Sequence, residues 1–213
     1  VSTYPGTPAS EIGNAFYQIQ NSKLKIKNLY FEFSTNEKVA MEAVIGASFS
    51  GLKTLVAMKH FGLNVAQEAL LPFVYAGVVG PAVIVVSDDP SCHSSAQSEQ
   101  NSRAVSYLGH IPTLEPADPQ EAKDFTKLAF EISEKFNIPV MVRLTTRVSH
   151  QQMPVELGSV SFQRKRRAGN FKKNPQKFIT MPPRVLEMKT ELLEKINNIR
   201  EFSEKSRINK KRT

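Results

Sequence analysis

Cysteine is almost missing from this sequence: Cys92 stands alone among 213 residues. One thiol excludes an internal disulfide framework and cannot by itself hold an iron–sulfur cluster. With no second cysteine and no spaced ligand set around Cys92 and His93, a zinc site is not expected, and the metal-ligand set is read as none. Long hydrophobic runs are also missing. No window approaches eighteen consecutive apolar residues, which argues against a membrane span. The start, Val1-Ser-Thr-Tyr-Pro-Gly, has neither the basic n-region nor the apolar h-region of a signal peptide. These absences together point to a reducing cytoplasm.

What is present divides in two. The net charge of +8 suggests a nucleic-acid partner at first sight, but the charge is unevenly spread. Residues 151–213 hold sixteen Lys and Arg against six Asp and Glu, whereas the first 150 hold twelve against fourteen. The basicity therefore belongs to the tail, and the larger part is mildly acidic. No known RNA- or DNA-reading motif accompanies Arg164-Lys-Arg-Arg or Asn209-Lys-Lys-Arg. Flexible basic segments are usually just solvated, so nucleic acid is not the favoured partner.

From Pro8 to about Leu144 strand-like and helical runs alternate. Thr7 with Pro8 reads as an N-cap followed by proline at the first helical position. Leu29–Phe33 reads as a strand, Glu37–Phe49 as a helix, and Lys53–Met58 as a strand. A loop through His60 to Asn64 leads to a helix over Val65–Tyr75. Ala82–Ser87 is apolar without alternation, as expected of a central parallel strand covered on both faces. A long loop from Asp88 to Ser98, a helix over Glu99–Leu108 and a strand over Pro112–Glu115 follow. Asp118-Pro-Gln-Glu opens a helix to Phe136, with Asp as N-cap, Pro at N1 and Glu at N3. Val140–Leu144 is the final strand. The fold class is therefore α/β: a doubly wound parallel sheet with helices on both faces. The chain begins abruptly, with only Val1–Thr3 left of a first strand, which reads as a shortened product.

Two units are expected, residues 1–152 and residues 153–213. The second is a basic linker followed by a helix, with apolar residues at 185, 186, 188, 192, 193, 196, 199 and 202. That spacing makes one apolar face, which must cover either this domain or a partner.

In open α/β sheets, ligands bind beyond the carboxyl ends of the strands. Four segments fall there: Tyr4-Pro-Gly-Thr-Pro, Ser34-Thr-Asn-Glu, Lys59-His-Phe-Gly-Leu-Asn and Asp88-Asp-Pro-Ser-Cys-His-Ser-Ser. All are rich in small, polar or titratable residues. Ser34-Thr-Asn-Glu also fits a capping box, in which Glu37 merely closes its own helix. Thr7 could be only a cap, and His60 only a solvated loop histidine. His110 and His150 are read as structural, and Asp88 with Asp89 could hold a cation.

The ordered series resembles a known family. Tyr4-Pro-Gly-Thr-Pro-Ala-Ser-Glu-Ile, Asn36-Glu-Lys-Val-Ala, Met58-Lys-His-Phe-Gly-Leu-Asn, Asp88-Asp-Pro-Ser-Cys-His-Ser-Ser, Leu114-Glu-Pro-Ala-Asp-Pro-Gln-Glu-Ala and Thr145-Thr-Arg-Val-Ser-His follow one another. From about residue 3 to 150 the chain is similar to the pyrimidine-binding domain of thiamine-diphosphate-dependent 2-oxoacid:ferredoxin oxidoreductases, and within them to the indolepyruvate:ferredoxin oxidoreductase alpha subunit. The resemblance implies that Glu37 faces N1′ of the cofactor's aminopyrimidine and sets its tautomer, while the cofactor performs the carbanion chemistry. It implies that Thr7 lies beside substrate and cofactor, that His60 bonds a substrate oxygen or shuttles a proton, and that Gly62 and Asn64 shape the loop and cap the next helix. The Mg2+ ligands, in a Gly-Asp-Gly…Asn pattern that does not occur here, and the iron–sulfur clusters would lie outside this chain. A diphosphate-binding domain, a beta subunit, ferredoxin and coenzyme A are the implied partners, in a dimer. Pyruvate-specific relatives carry an arginine near the end of the strand matching Val83–Ser87. Here that place holds Asp88 and Asp89, so either Arg103 grips the substrate carboxylate or the substrate is held differently. That fits the arylpyruvate branch, and an isolated chain that does not turn over. A non-catalytic interaction module of the same fold is the alternative from another functional class.

Overall fold

The computed structural model describes residues 1–22, 26, 28–90, 98–158, 168–206 and 208–209. Six strands form one fully parallel sheet: β1 (Ser2–Thr3), β2 (Glu32–Phe33), β3 (Thr54–Lys59), β4 (Ala82–Asp88), β5 (Thr113–Leu114) and β6 (Val140–Thr145). Their order across the sheet is β2-β1-β3-β4-β6-β5. The connecting helices are α1 (Ser10–Asn21), α2 (Glu37–Phe49), α3 (His60–Ala76), α4 (Arg103–Gly109) and α5 (Pro119–Phe136). After β6 come α6 (Thr146–His150), α7 (Pro175–Phe178) and α8 (Arg184–Glu204). The expected doubly wound α/β class is what the chain forms.

Strand alternation assigns the two faces. Val56, Met58, Ile84, Val86 and Met141 pack with α2, α3 and α8. Leu55, Ala57, Val83, Val85, Val140 and Val142 pack on the other side with α1 and α5. Both faces are covered, which explains why β4 is buried along its whole length and reads as one apolar run.

Several local expectations shift. The first helix does not begin at Pro8 with Thr7 as its cap. The Ala9 amide donates to the Gly6 carbonyl at 2.7 Å, closing a turn, and α1 starts at Ser10 with Ala9 in the cap position. β2 is shorter than Leu29–Phe33 because the Phe31 amide donates to the Gln20 side chain at 2.7 Å rather than to a ladder. α4 starts at Arg103, not Glu99. Before it, the Gln100 amide donates to the Asp89 carbonyl and the Ser102 amide to the Asp88 carboxylate. The Asp118 cap of α5 is as expected: its carboxylate accepts from the Glu121 amide at 2.8 Å.

The tail helix covers this domain. α8 buries Met188 and Leu192, each contributing roughly 1.5–3 kcal/mol from side-chain burial. Leu192 lies in the core shared with α2 and α3, and the Phe202 ring meets Phe136 edge-on at 5.7 Å. Lys195 and Lys177 reach carbonyls at the C-terminal ends of α5 and α3, donating to Asn137 and Ala76 at 3.4 and 3.1 Å. Residues beyond 152 thus share the core of residues before it. Among the described residues no helix is long and apolar enough to cross a membrane.

Candidate active site

β1 leads to α1 on one face and the neighbouring β3 leads to α3 on the other, so a crevice opens between their carboxyl ends. Three segments meet there: the Tyr4–Pro8 turn, the start of α2 and the start of α3. The turn lies against β3 closely. A Cβ added to Gly6 would come within 2.8 Å of the Lys59 side chain.

Glu37 is the first residue of α2, and the capping-box reading does not hold. Asn36 is the cap, its side chain accepting from the Val39 amide at 2.9 Å. Ser34 is two residues too early, because the helix starts at Glu37 and Asn36, itself extended, holds the cap position. The Glu37 side chain instead lies across Gly62 of α3. A Cβ there would fall 2.4 Å from Glu37 Cγ and 2.7 Å from Oε1. Only glycine leaves room for that carboxylate to rest on the first turn of α3.

His60 is not on a loop. β3 runs straight into α3, with Lys59 in the cap position and His60 as the first helical residue, so the polar and glycine signals at 60–64 belong to a helix start. Its ring is fully buried at 0 % exposure, in contact with Phe61 at 4.5 Å between centroids. Among the described residues neither Nδ1 nor Nε2 has a hydrogen-bond partner. A buried imidazole without partners is costly, and it is the kind of group a ligand would satisfy. Asn64 does not cap the next helix either. It lies within α3 and exchanges hydrogen bonds with Gln100 at 2.7 and 3.0 Å. Thr7 is exposed in the turn after β1. Glu37 and Gly62 are thus in contact, with His60 two residues earlier on α3 and Thr7 in the turn after the neighbouring strand β1.

Arg103 sits elsewhere. Its guanidinium clamps Glu115, with Nε donating to Oε1 at 2.7 Å. Glu115 also faces Arg143 Nη1 at 3.4 Å, and Arg143 Nε donates to Asp88 Oδ2 at 2.6 Å. Asp88 further accepts from the Ser102 amide at 2.8 Å and the Ser102 hydroxyl at 3.0 Å. Asp88 and Arg143 are buried at 0 and 2 % exposure. The Asp88 carboxylate is committed to Arg143 and Ser102, and the Asp89 carboxylate accepts from Thr146 at 2.8 Å. The cation reading of this pair is thereby replaced by an internal network, and no metal-holding group of three His, Cys, Asp or Glu occurs among the described residues. Cys92 and His93 lie outside those residues. Hydrogen bonding from Arg103, with partial help from Arg143, holds the Glu115 carboxyl below the usual carboxylate range. His110 takes the left-handed C-cap position of α4, its Nε2 at 2.5 Å from Lys189 Nζ, and desolvation with the lysine charge lowers its pKa. His150 ends α6.

Gln100, Ser102 and Arg143 were not anticipated as parts of this rim. The Gln100 side chain also donates to the His60 carbonyl and the Ser102 hydroxyl, at 3.4 and 3.2 Å, tying the start of α3 to the start of α4. One signal for Arg143 was available: an arginine inside Val140-Met-Val-Arg-Leu must have a buried partner.

Comparison with known proteins bears on the family and the fold. Residues 1–208 match the family described as pyruvate flavodoxin/ferredoxin oxidoreductase, thiamine diphosphate-binding. The indolepyruvate oxidoreductase subunit IorA of Methanothermobacter marburgensis is 44% identical over 213 residues, 98% of this chain and 33% of that protein. Its namesake in Pyrococcus horikoshii is 46% identical over 203 residues, 94% of this chain and 31% of that protein. The chain thus spans about a third of the length of these relatives. A solved 2-oxoglutarate:ferredoxin oxidoreductase from Magnetococcus marinus shares the fold, with a TM-score of 0.65, 18% identity, and coverage of 94% of this chain and 41% of that one. With its match running from residue 1 to residue 208, the chain belongs to the thiamine diphosphate-binding domain family of pyruvate flavodoxin/ferredoxin oxidoreductases.

Proposed function

We propose that this chain forms the pyrimidine-side half of the active site of a thiamine-diphosphate-dependent 2-oxoacid:ferredoxin oxidoreductase, acting on an aryl 2-oxoacid such as indolepyruvate. The observation that carries the reading is the Glu37 carboxylate lying on Gly62, in the same first turn of α3 as His60, whose buried ring has no hydrogen-bond partner among the described residues. Those residues fit the group the family binds: an acceptor in a fixed place, a glycine with no side chain between, and a polar ring that lacks a partner. When bound, thiamine diphosphate supplies the carbanion chemistry of oxidative decarboxylation.

The chain's own residues have four tasks in this reading. Glu37 would hold the cofactor's aminopyrimidine at N1′ and set its tautomer. His60 donates to, or takes a proton from, a substrate oxygen. Thr7 offers its hydroxyl from the turn opposite, and Asn64 with Gln100 keeps the start of α3 in register with α4. Arg103 would meet a substrate carboxylate by exchanging Glu115 for it. Mg2+ would be held by a diphosphate-binding domain and the iron–sulfur clusters by a separate domain or protein, both outside this chain, with a beta subunit, ferredoxin and coenzyme A as partners, in a cytoplasmic dimer.

The chain alone should show no 2-oxoacid:ferredoxin activity, and co-expression with the missing regions should restore it. In the restored enzyme Glu37→Gln should lower turnover by about 100- to 10,000-fold while leaving folding unchanged. Full activity in that variant would sink the proposal.

A further inference from the structure

β5 forms the outer edge of the sheet, paired only with β6. Along its free side runs a cleft of about 710 Å3, walled by α4, α5 and α8. Its floor is apolar: Leu114, Leu128, Ile132, Ile199 and Phe202. The volume and the lining are those of small-molecule sites, which run from about 300 to 1,000 Å3 and combine an apolar wall with a few polar groups. β5 is two residues long, too short a template for adding a peptide strand.

The charges in the cleft are one-sided. Among the described residues Glu115 is the one acidic group lining it, and that carboxylate is already matched by Arg103 and Arg143. Arg200 also lines the cleft and forms no ion pair among the described residues. Ser203, one turn of α8 further on, adds a hydroxyl to the same wall. An unpaired guanidinium over an apolar floor selects a ligand with a flat or branched apolar body and one anionic group.

We propose that this cleft is a second binding site, separate from the crevice at β1 and β3, for a small amphipathic carboxylate whose acid group pairs with Arg200. None of Thr7, Glu37, His60 or Gly62 lines the site; Arg103, assigned to a substrate carboxylate in the proposed function, stands at its Glu115 end, and Arg200 at the α8 end is the anchor proposed here.

The 213-residue chain has no tryptophan, so a naphthalene probe is read without indole background. Titration of the full chain with 1-naphthylacetate should give a saturable fluorescence change. Methyl NMR should show shifts at Leu114, Leu128, Ile132 and Ile199 and none at Leu63 or Val86. Arg200→Ala should weaken binding roughly tenfold, and Arg200→Lys should recover most of it. The neutral analogue 2-(1-naphthyl)ethanol should bind wild type and Arg200→Ala equally. The proposal is overturned by a response that never saturates, by unchanged affinity in Arg200→Ala, or by methyl shifts confined to α2 and α3. Arg200 is exposed, so its variants leave the core intact and remain readable.

Discussion

The two halves of the strand-end rim are built in opposite ways. At the β4, β6 and β5 ends, the acidic and basic groups of Asp88, Arg143, Glu115 and Arg103 are matched inside the protein. At the β1 and β3 ends, a fully buried imidazole has no hydrogen-bond partner among the described residues, and a carboxylate lies against a glycine. The first half is a frame, closed in itself. The second is left chemically incomplete, and incompleteness of buried polar groups is what a bound ligand removes. On the proposed reading, the contrast between neighbouring halves of one rim is what assigns the ligand to the β1 and β3 half.

If the first half is a frame, removing Arg143 should have the largest effect on stability. Arg143→Met leaves Asp88 buried without its counter-ion and should cost about 3–5 kcal/mol in urea unfolding. The double variant Asp88→Leu with Arg143→Met should recover most of that loss. A single variant within 1 kcal/mol of wild type, on the order of an ordinary surface change, would break the contrast.

The second half should respond in function rather than in stability. Gly62→Ala gains helix propensity of up to about 1 kcal/mol, yet its methyl group displaces the Glu37 carboxylate. The melting temperature should hold or rise while restored turnover falls by about a hundredfold. His60→Leu sharpens the point further. Replacing two unpartnered ring nitrogens by carbon should raise stability by about 1 kcal/mol, and it should also abolish whatever the imidazole does for turnover. A destabilised His60→Leu protein would mean the ring is already satisfied within the fold.

The smallest effect concerns pH. Arg103 depresses the Glu115 pKa in the folded protein, so this carboxylate contributes stability that is present above the usual carboxylate range and lost as pH falls through the lowered folded value. Glu115 is partly exposed, which limits the contribution to about 1 kcal/mol or less. Glu115→Gln should show a flatter acid limb in stability against pH, and an unchanged limb would remove Glu115 from the frame.

Much of this was readable from residues. The apolar run Ala82–Ser87 and the Asp118-Pro-Gln-Glu start announced β4 and α5, because burial on both faces and helix capping leave local marks. Glu37, Gly62 and His60 were legible through the ordered motifs. Their arrangement was not. Whether Glu37 caps its helix or lies on Gly62 depends on how α2 packs against α3, and that contact joins segments 25 residues apart in the chain. Histidine, glycine and asparagine at 60, 62 and 64 looked like a loop because local propensity cannot register a strand feeding directly into a helix. The Asp88–Arg143 pair was hidden for the same reason, since its partners are separated by 55 residues.

The strand order carries a further consequence, one of timing. β6 is the last of the described strands to be synthesised, yet it lies between β4 and β5. As the chain leaves the ribosome, β4 has one open flank and β5 has no neighbour at all until β6 emerges. At about 5–20 residues per second, Arg143 follows Asp88 by roughly 3–11 s. For that interval the acid that anchors the rim has no counter-ion, and the nascent sheet ends in an unpaired apolar strand. Ribosome-bound chains halted before residue 140 should be the ones that chaperones retain and proteases cut.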